Sequence, residues 1–493
     1  MVGLNVYMAV LASVRAAFSI SIIAIRIEYC MNKHRDLFDC HFVVWCVVLW
    51  HIVASSYVLA QVVPLDSCRL WALRNNKSLQ IAHKLVQQSG DMRRAAQGAY
   101  LPGIDFIGTY FYNEKNTRLI DVDKLRTAIT DWGVPAAWVS ALVPNDLLAF
   151  DTHQVAWGAL TVTQPIYMGG KIVALNDIAS AAERLSISQK ELVERDVIDA
   201  VDDAYWLVVA LESKYELAKL YVQLVDSLHS DMSELIAEGI ATKSEGLAVA
   251  VAKNEAEVLL SQSDHGLSLA RMVLAQLCGL PIDTVFEVQE VALQLYEPMG
   301  LLSYGMSGVY HRREELNSLC ILSEMAQAQR RLVLSDMLPT VALVGMYQVG
   351  MPNLYNGFST DPDGMFSVGV VLRVPVFHWG TNYYRYKAAG AAVTIAHIEI
   401  EAAKERIDLQ VSEARYRYDE AGRTYRMYAK NMEQAELNLR NAQYAFDEGV
   451  LNYTQLMAAQ VAWRQAASEL IDAQIAIAVA YDSYKQAVGL PLY

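Results

Sequence analysis

Apolar residues step by four and three along two long stretches of the chain. Val197, Val201, Ala204, Val208, Leu211, Tyr215, Ala218, Val222 and Val225 make the first seam. Ile407, Val411, Ala414, Tyr418, Ala421, Tyr425, Tyr428, Met432, Ala435 and Leu439 make the second. A mean period of 3.5 residues is that of helices packed side by side as in a coiled coil. No proline or glycine lies between Gly170 and Ala237, and only Gly390 and Gly422 interrupt Thr381 to Asp447. Each stretch therefore predicts one helix ~100 Å long at 1.5 Å per residue, where the mean globular helix has only ~11–12 residues. Elsewhere the period is two. Phe366, Val368, Val370, Leu372, Val374 and Val376 alternate with Ser367, Gly369, Val371 and Arg373, which is a strand with two different faces. "TVALVGMYQV" precedes it as a hairpin partner, and "GIDFIGTYFY" with "WGALTVTQPIY" predicts a second hairpin upstream.

The two seams belong to an internal duplication. An offset of 210 residues holds from Pro165/Pro375 to Pro281/Pro491, through Gly170/Gly380, Val201/Val411, Tyr215/Tyr425, Glu238/Glu448 and Gly239/Gly449. Upstream the offset is 237: Leu79/Leu316, Arg93-Arg94/Arg330-Arg331, Leu101-Pro102/Leu338-Pro339. The order in each copy is helix, Leu-Pro stop, β-hairpin, long helix, Glu-Gly turn and a returning helix that ends in "GLP". The first copy spans 61–281, with a helix at 66–100, a hairpin at 103–166 and long helices at 170–278. The second spans 314–493, with a helix at 314–337, a hairpin at 340–377 and long helices at 381–489. Residues 282–313 lie between the copies. Ser244 and Thr454 are the expected N-caps of the returning helices. The first hairpin carries extra residues, Asn113 to Val155, which predict an enlarged loop.

The N-terminus adds a location. Lys33 and Arg35 precede the apolar run "HFVVWCVVLWHIVASSYVLA", and Val58 and Ala60 occupy the −3 and −1 positions of a small-residue cleavage site. This predicts a secretory signal peptide cut after Ala60, with Met31 as the true start and residues 1–30 over-translated. A retained signal anchor is the alternative. No later apolar run reaches the roughly 18–20 residues of a membrane-spanning helix. Beyond Ala60 the cysteines are Cys68, Cys278 and Cys320. Their number and spacing give neither a disulfide framework nor a metal site, and they are expected to be buried small hydrophobes.

Each chain then has four strands with an apolar face, and four strands cannot close. Membrane barrels use at least eight, and an open edge is not viable in a bilayer. Three copies give twelve strands, so a homotrimer is expected. The valine-rich positions, with Phe366, Tyr110, Tyr112 and Tyr347, are expected to face lipid. Asp105, Thr109, Ser367 and Arg373 are expected to face a wet lumen. A soluble β-sandwich hairpin is the competing account of the alternation, and it leaves the ~100 Å helices without a purpose.

Charge and motifs exclude other classes. The net charge of −14 and the lack of a basic, aromatic-interleaved stripe argue against nucleic acid. No nucleophile elbow, phosphate loop, zinc-protease helix or histidine cluster is present, so neither an enzyme nor a cofactor is expected. "DPDG" at 361–364 is a hairpin turn rather than a calcium loop.

The duplicated plan, the Leu-Pro before each hairpin, "QPIYMGGK" and "VPVFHWGT", and "EGIATKSEGLAVA" and "EGVLNYTQLMAAQ" resemble the TolC-type outer-membrane factors, the outer membrane efflux proteins. The resemblance covers nearly all of residues 65–491. It implies a mainly α fold with a transmembrane β-barrel part: a trimer with a 12-stranded barrel in a Gram-negative outer membrane and a 12-helix tunnel across the periplasm. Residues 282–313 would be the equatorial belt. The function implied is a passive exit duct for small-molecule or drug efflux, working with a periplasmic adaptor and an inner-membrane exporter. Type I protein secretion is the alternative. A periplasmic coiled-coil adaptor is the alternative from another class, and it lacks the expected lipoyl-like domain. The resemblance makes Glu238, Gly239, Ile240, Lys243, Glu448, Gly449, Val450 and Asn452 the adaptor-docking tips. It puts the aperture at Glu245, Gln455 and Ala458, and the strand–helix transitions at Pro102, Pro165, Gly170, Pro339, Pro375 and Gly380. The family often has acidic residues six and nine positions beyond the second tip glycine. Here those are Gln455 and Ala458, so Glu245 alone is left for an acidic ring.

Overall fold

The computed structural model describes residues 62–115, 117–118, 120–143, 149–150, 152–284, 287–288, 305–353 and 361–490. The signal peptide, the Ala60 cleavage site and much of the 282–313 segment lie outside them. Val62–Val63 and Glu287 belong to a small separate unit, and the main unit holds Pro64–Thr284 and Val288–Tyr493.

In the main unit, helices α1 (Leu65–Asn75) and α2 (Lys77–Gly98) lead into strand β1 (Gly103–Tyr112). Strand β2 (Gln154–Tyr167) runs into α3 (Lys171–Ala237), and α4 (Lys243–Leu277) returns. The second copy follows as α5 (Glu314–Ser335), β3 (Thr340–Met351), β4 (Asp363–Arg373), α6 (Thr381–Asp447) and α7 (Tyr453–Val488). Both long helices are unbroken for 67 residues, and their ends coincide at the 210-residue offset.

Three boundaries differ from the sequence expectation. The helix expected at 66–100 is two helices, because Asn76 has an extended backbone and its side chain accepts from the Ser78 N–H to start α2. The last strand stops at Arg373, and Val374–His378 are irregular, since Pro375 can neither donate to a ladder nor leave its neighbour unrestricted. The insert after β1 is folded rather than a plain loop. It holds the paired short strands Thr117–Arg118 and Ala149–Phe150 and the helices Val122–Asp131 and Ala136–Leu142. Buried Val122, Val139 and Val143 are its core, and the Arg126 guanidinium donates to the Val143 carbonyl at 3.0 and 2.6 Å.

The sheet is antiparallel throughout, in the order β1-β2-β3-β4, so β1 and β4 are its edges. Register decides the faces. Asp105 lies opposite Thr161, Thr161 opposite Met346, and Met346 opposite Ser367. Phe106, Leu160, Tyr347 and Phe366 form the adjacent row. Since alternate residues point to opposite faces, one face carries Asp105, Thr109, Thr161, Thr163, Gln348, Ser367 and Arg373. The other carries Ile104, Phe106, Tyr110, Tyr112, Leu160, Val162, Tyr347, Phe366, Val368, Val370 and Leu372. The edge strands are exposed along almost their whole length, while the central strands are half-buried.

Below the sheet, α3 packs with α4 and α6 packs with α7. Helices α2 and α5 both lie on α3, and α5 also touches α6. The repeated arginine pairs help seat them. Arg93 meets Glu183 at 3.0 Å, Arg331 meets Asp177 at 2.8 Å, and Arg330 donates to the Tyr386 hydroxyl at 2.8 Å. Of the α3 seam, Val197, Val201, Ala204, Val208, Ala218 and Val225 are buried. The α6 seam is buried only from Ile407 to Tyr418 and half-buried further on. Leu409, Tyr416, Met427, Leu437 and Tyr444 on that helix are exposed in the single chain.

Candidate functional site: the two helix-hairpin tips

The tips are built by the same chemistry twice. Glu238 closes α3, and Gly239 follows with φ +76°. The Gly239 N–H donates to Ile236 O at 3.1 Å, and the Ile240 N–H donates to Leu235 O at 2.9 Å. Glu448, Gly449 (φ +67°) and Val450 repeat this: Gly449 N–H to Phe446 O at 2.9 Å, Val450 N–H to Ala445 O at 2.8 Å. This pair of bonds is a Schellman stop, whose left-handed position suits glycine. The residue after each glycine is forced outward. Ile240 is 71% exposed and Val450 81% exposed, an uncommon place for a branched aliphatic side chain.

The returning helices start two residues before the expected caps. Thr242 and Asn452 are the N-caps, not Ser244 and Thr454. Thr242 accepts from the Glu245 N–H at 3.3 Å, and the Glu245 carboxylate accepts from the Thr242 N–H and hydroxyl at 2.6 and 2.9 Å. This is a capping box, readable in "TKSE" as the Thr-x-x-Glu pattern. The second tip keeps half of it: Asn452 accepts from the Gln455 N–H at 3.0 Å. Those Thr242 donors hold the Glu245 carboxyl below its ordinary range, first through the backbone N–H and then through the hydroxyl, so it stays ionised. Lys243, Gln455 and Ala458 are exposed.

One apolar cluster joins the two tips. Buried Leu228 and Met232 of α3, Val249 of α4 and Leu456 of α7 pack together, with Ile236, Ala241, Leu439, Phe446, Tyr453 and Met457 around them. The tips therefore stand side by side, and Glu245 and Gln455 sit one turn above them on neighbouring helices.

The transition residues are placed at the opposite end. Pro102 and Pro339 immediately precede β1 and β3. Gly170 and Gly380 are the left-handed N-caps of the long helices, with φ of +81° and +76°. Pro375 lies in the irregular stretch after β4. Pro165 differs, being inside β2 where the register shifts between Pro165 and Tyr167. There the missing N–H is accommodated by a bulge.

Sequence reasoning missed a buried charge network on α3. Arg69 donates to both carboxylate oxygens of Asp202 at 2.7 Å each, and both side chains are nearly inaccessible. Asp199 hydrogen-bonds Gln486 of α7, and Trp206 Nε1 donates to Asp482 at 3.2 Å. Desolvation, then Asp202, Asp196 and Asp203, push the Asp199 carboxyl up to about 7. The pattern "DVIDAVDDAYW" gave the signal: its four acidic residues lie on the helix face away from the Val197–Val201–Ala204 seam, and Ile198, Tyr205 and Trp206 bury that face too.

Among curated proteins no match to the chain is found. Residues 310–490 match the family model described as outer membrane efflux protein. Among solved structures the chain is similar to CusC, with 14% identity over 87% of this chain and 92% of that one and a TM-score of 0.71. It is similar to VceC of Vibrio cholerae, with 15% identity over 87% and 97% and a TM-score of 0.69. It is also similar to the MtrE outer membrane channel of Neisseria gonorrhoeae, with 16% identity over 86% and 89% and a TM-score of 0.64. Residues 310–490 thus match the outer membrane efflux protein family, within a chain whose fold, first repeat included, is that of solved outer-membrane proteins.

Proposed function

We propose that this chain is the exit duct of a tripartite export system. Three copies close one twelve-stranded barrel in the outer membrane and one helical tunnel through the periplasm, and the tips receive a periplasmic adaptor tied to an inner-membrane exporter. The observation that carries this is the four-stranded sheet: one face is apolar, both edges are unpaired among the described residues, and it leads directly into the 67-residue helices. Its strands have 10, 14, 12 and 11 residues, and a tilted strand needs about 9–11 to cross a bilayer. A bilayer tolerates no free edge, so β1 of one copy must pair with β4 of another. The exposed apolar residues of α6 supply the matching helix contacts below.

The energy for transport comes from the exporter. At the tips, Ile240 and Val450 offer two exposed aliphatic contacts for an adaptor, flanked by Glu238, Lys243, Glu448 and Asn452. Three Glu245 carboxylates, one per copy, make a modest acidic ring near the aperture, with Gln455 and Ala458 neutral. Such a ring favours cations over anions. Small-molecule efflux is preferred over protein secretion because the matching domain is that of efflux proteins.

In vivo photo-crosslinking from Lys243 and Asn452, with mass spectrometry of what is captured, tests the tips. An adaptor of a proton-driven exporter is the expected capture. An adaptor of an ATP-driven polypeptide exporter would move the chain to protein secretion. No adaptor at either position, in protein correctly placed in the outer membrane, would refute the docking role.

A further inference from the structure

Cys68 lies near the start of α1, and Cys278 is the C-cap of α4. They are 210 residues apart in sequence, both are completely buried, and both are reduced in the structure. Cys278 Sγ donates to the Cys68 carbonyl at 3.6 Å, so the two residues meet in the closed joint. Cys320, by contrast, is exposed, so the sequence expectation of three buried cysteines holds for two of them.

The second repeat shows what this joint requires. Asn76, the N-cap of α2, donates from Nδ2 to Leu277 O at 2.9 Å. Its counterpart Arg313, the N-cap of α5, donates from Nη1 to Ala487 O at 3.1 Å. Gly279 lies against Asn75, and its counterpart Gly489 lies against Arg312. Ala72 and its counterpart Val309 are both buried. The joint between the start of a repeat and the end of its returning helix is therefore built twice with the same contacts. The same offsets place Gly305 and Val488 where the thiols would be. The joint closes without sulfur in one repeat and brings two thiols together in the other.

We propose that Cys68 and Cys278 form a disulfide in the exported protein, tying the first helix of repeat one to the end of its last. The inference rests on the envelope location in the proposed function, because disulfides persist in the oxidising periplasm. Each thiol gives up its proton, the sulfurs join, and the two electrons reduce the disulfide of an envelope thiol oxidase to two thiols. The exchange passes through a mixed disulfide with one of the cysteines. Both sulfurs are inaccessible once the joint is closed, so the bond forms during folding and then resists reductant in the native protein. The covalent loop takes in nearly the whole first repeat, and long loops gain most from such a constraint on the unfolded chain.

The test uses the full chain expressed with its N-terminal segment. Outer-membrane protein is alkylated in denaturant without reductant, digested and analysed by mass spectrometry. A linked peptide pair containing Cys68 and Cys278 is expected, disappearing on reduction, with Cys320 alkylated. Non-reducing denaturing gels should show a faster band, lost in Cys68→Ser and in Cys278→Val; the valine copies Val488, so the joint still packs. Alkylated Cys68 and Cys278 without reduction, or a link from either to Cys320, would overturn the proposal. Fractionation of the same cells reads location separately, so free thiols in outer-membrane protein would leave the duct standing.

Discussion

Replacing Arg69 with methionine keeps most of its volume and removes its charge from one of the most enclosed sites in the molecule. In the native chain its guanidinium makes two parallel bonds of 2.7 Å to Asp202, with side-chain exposures of 6% and 5%. Burial raises the Asp202 carboxyl, Arg69 opposes that rise, and Asp482 and Asp203 add to it. Without Arg69 the carboxylate is left against acidic neighbours only. Breaking a buried pair from one side costs about 3–5 kcal/mol. The carboxyl can escape by taking a proton, which caps the loss. From its ordinary value of 3.8, at 1.36 kcal/mol per unit, the cap is roughly 6 kcal/mol at pH 8 and only about 1.6 kcal/mol at pH 5. Arg69→Met should therefore cost about 3–5 kcal/mol at pH 8 and no more than about 1.6 kcal/mol at pH 5. The double replacement Arg69→Met/Asp202→Leu should recover most of it, since an apolar pair of similar volume is close to neutral. Thermal unfolding of detergent-purified protein, followed by helical circular dichroism, should show the single variant about 5–10 °C below wild type at pH 8, given a few degrees per kcal/mol. A single variant as stable as the double one, or a deficit unchanged at pH 5, would refute the reasoning.

Other outcomes follow from the same geometry. Asp199 keeps its proton in the folded state up to about pH 7 but loses it near 3.8 when unfolded. Folding stability should therefore fall as pH rises through that window, by at most about 4 kcal/mol; Asp199→Asn should flatten the pH profile of unfolding and raise stability above pH 7. Gly239→Ala meets nothing within 4 Å, so its cost is backbone strain alone, about 1–2 kcal/mol, read as faster amide exchange at Ile240 and Ala241. Val368→Lys on the apolar face should cost about 2–4 kcal/mol if it sits at mid-bilayer and lower the yield of outer-membrane protein; Ser367→Lys, one residue away on the other face, should not. Glu245→Gln should reduce cation preference in planar-bilayer conductance while leaving the fold intact, because glutamine can still accept from Thr242.

Much of this architecture was legible because it rests on periodicity. The 4-3 seam and the absence of helix breakers fixed both long helices to within a residue. The alternation in β4 assigned its faces, and register then assigned the other strands. Residues decided by local competition were harder. Asn76 looks like a helical residue until its side chain is seen capping α2. Thr242 and Ser244 are both good caps, and only the Glu245 side chain reaching back selects Thr242. Pro165 reads as a stop, but an antiparallel strand can carry it at a bulge. The Arg69–Asp202 pair joins residues 133 positions apart, and nothing periodic links them. The Cys68–Cys278 contact was hidden likewise, because cysteine spacing carries no information when the fold closes so long a loop.

The central claim is that open sheets from several copies complete one barrel. Electron cryomicroscopy of the purified protein in lipid nanodiscs tests it most directly. The account predicts three copies around one twelve-stranded barrel, with β1 of each beside β4 of the next and the Gly239 and Gly449 tips converging at the far end. A different copy number, or β1 and β4 edges left unpaired in the bilayer, would contradict it.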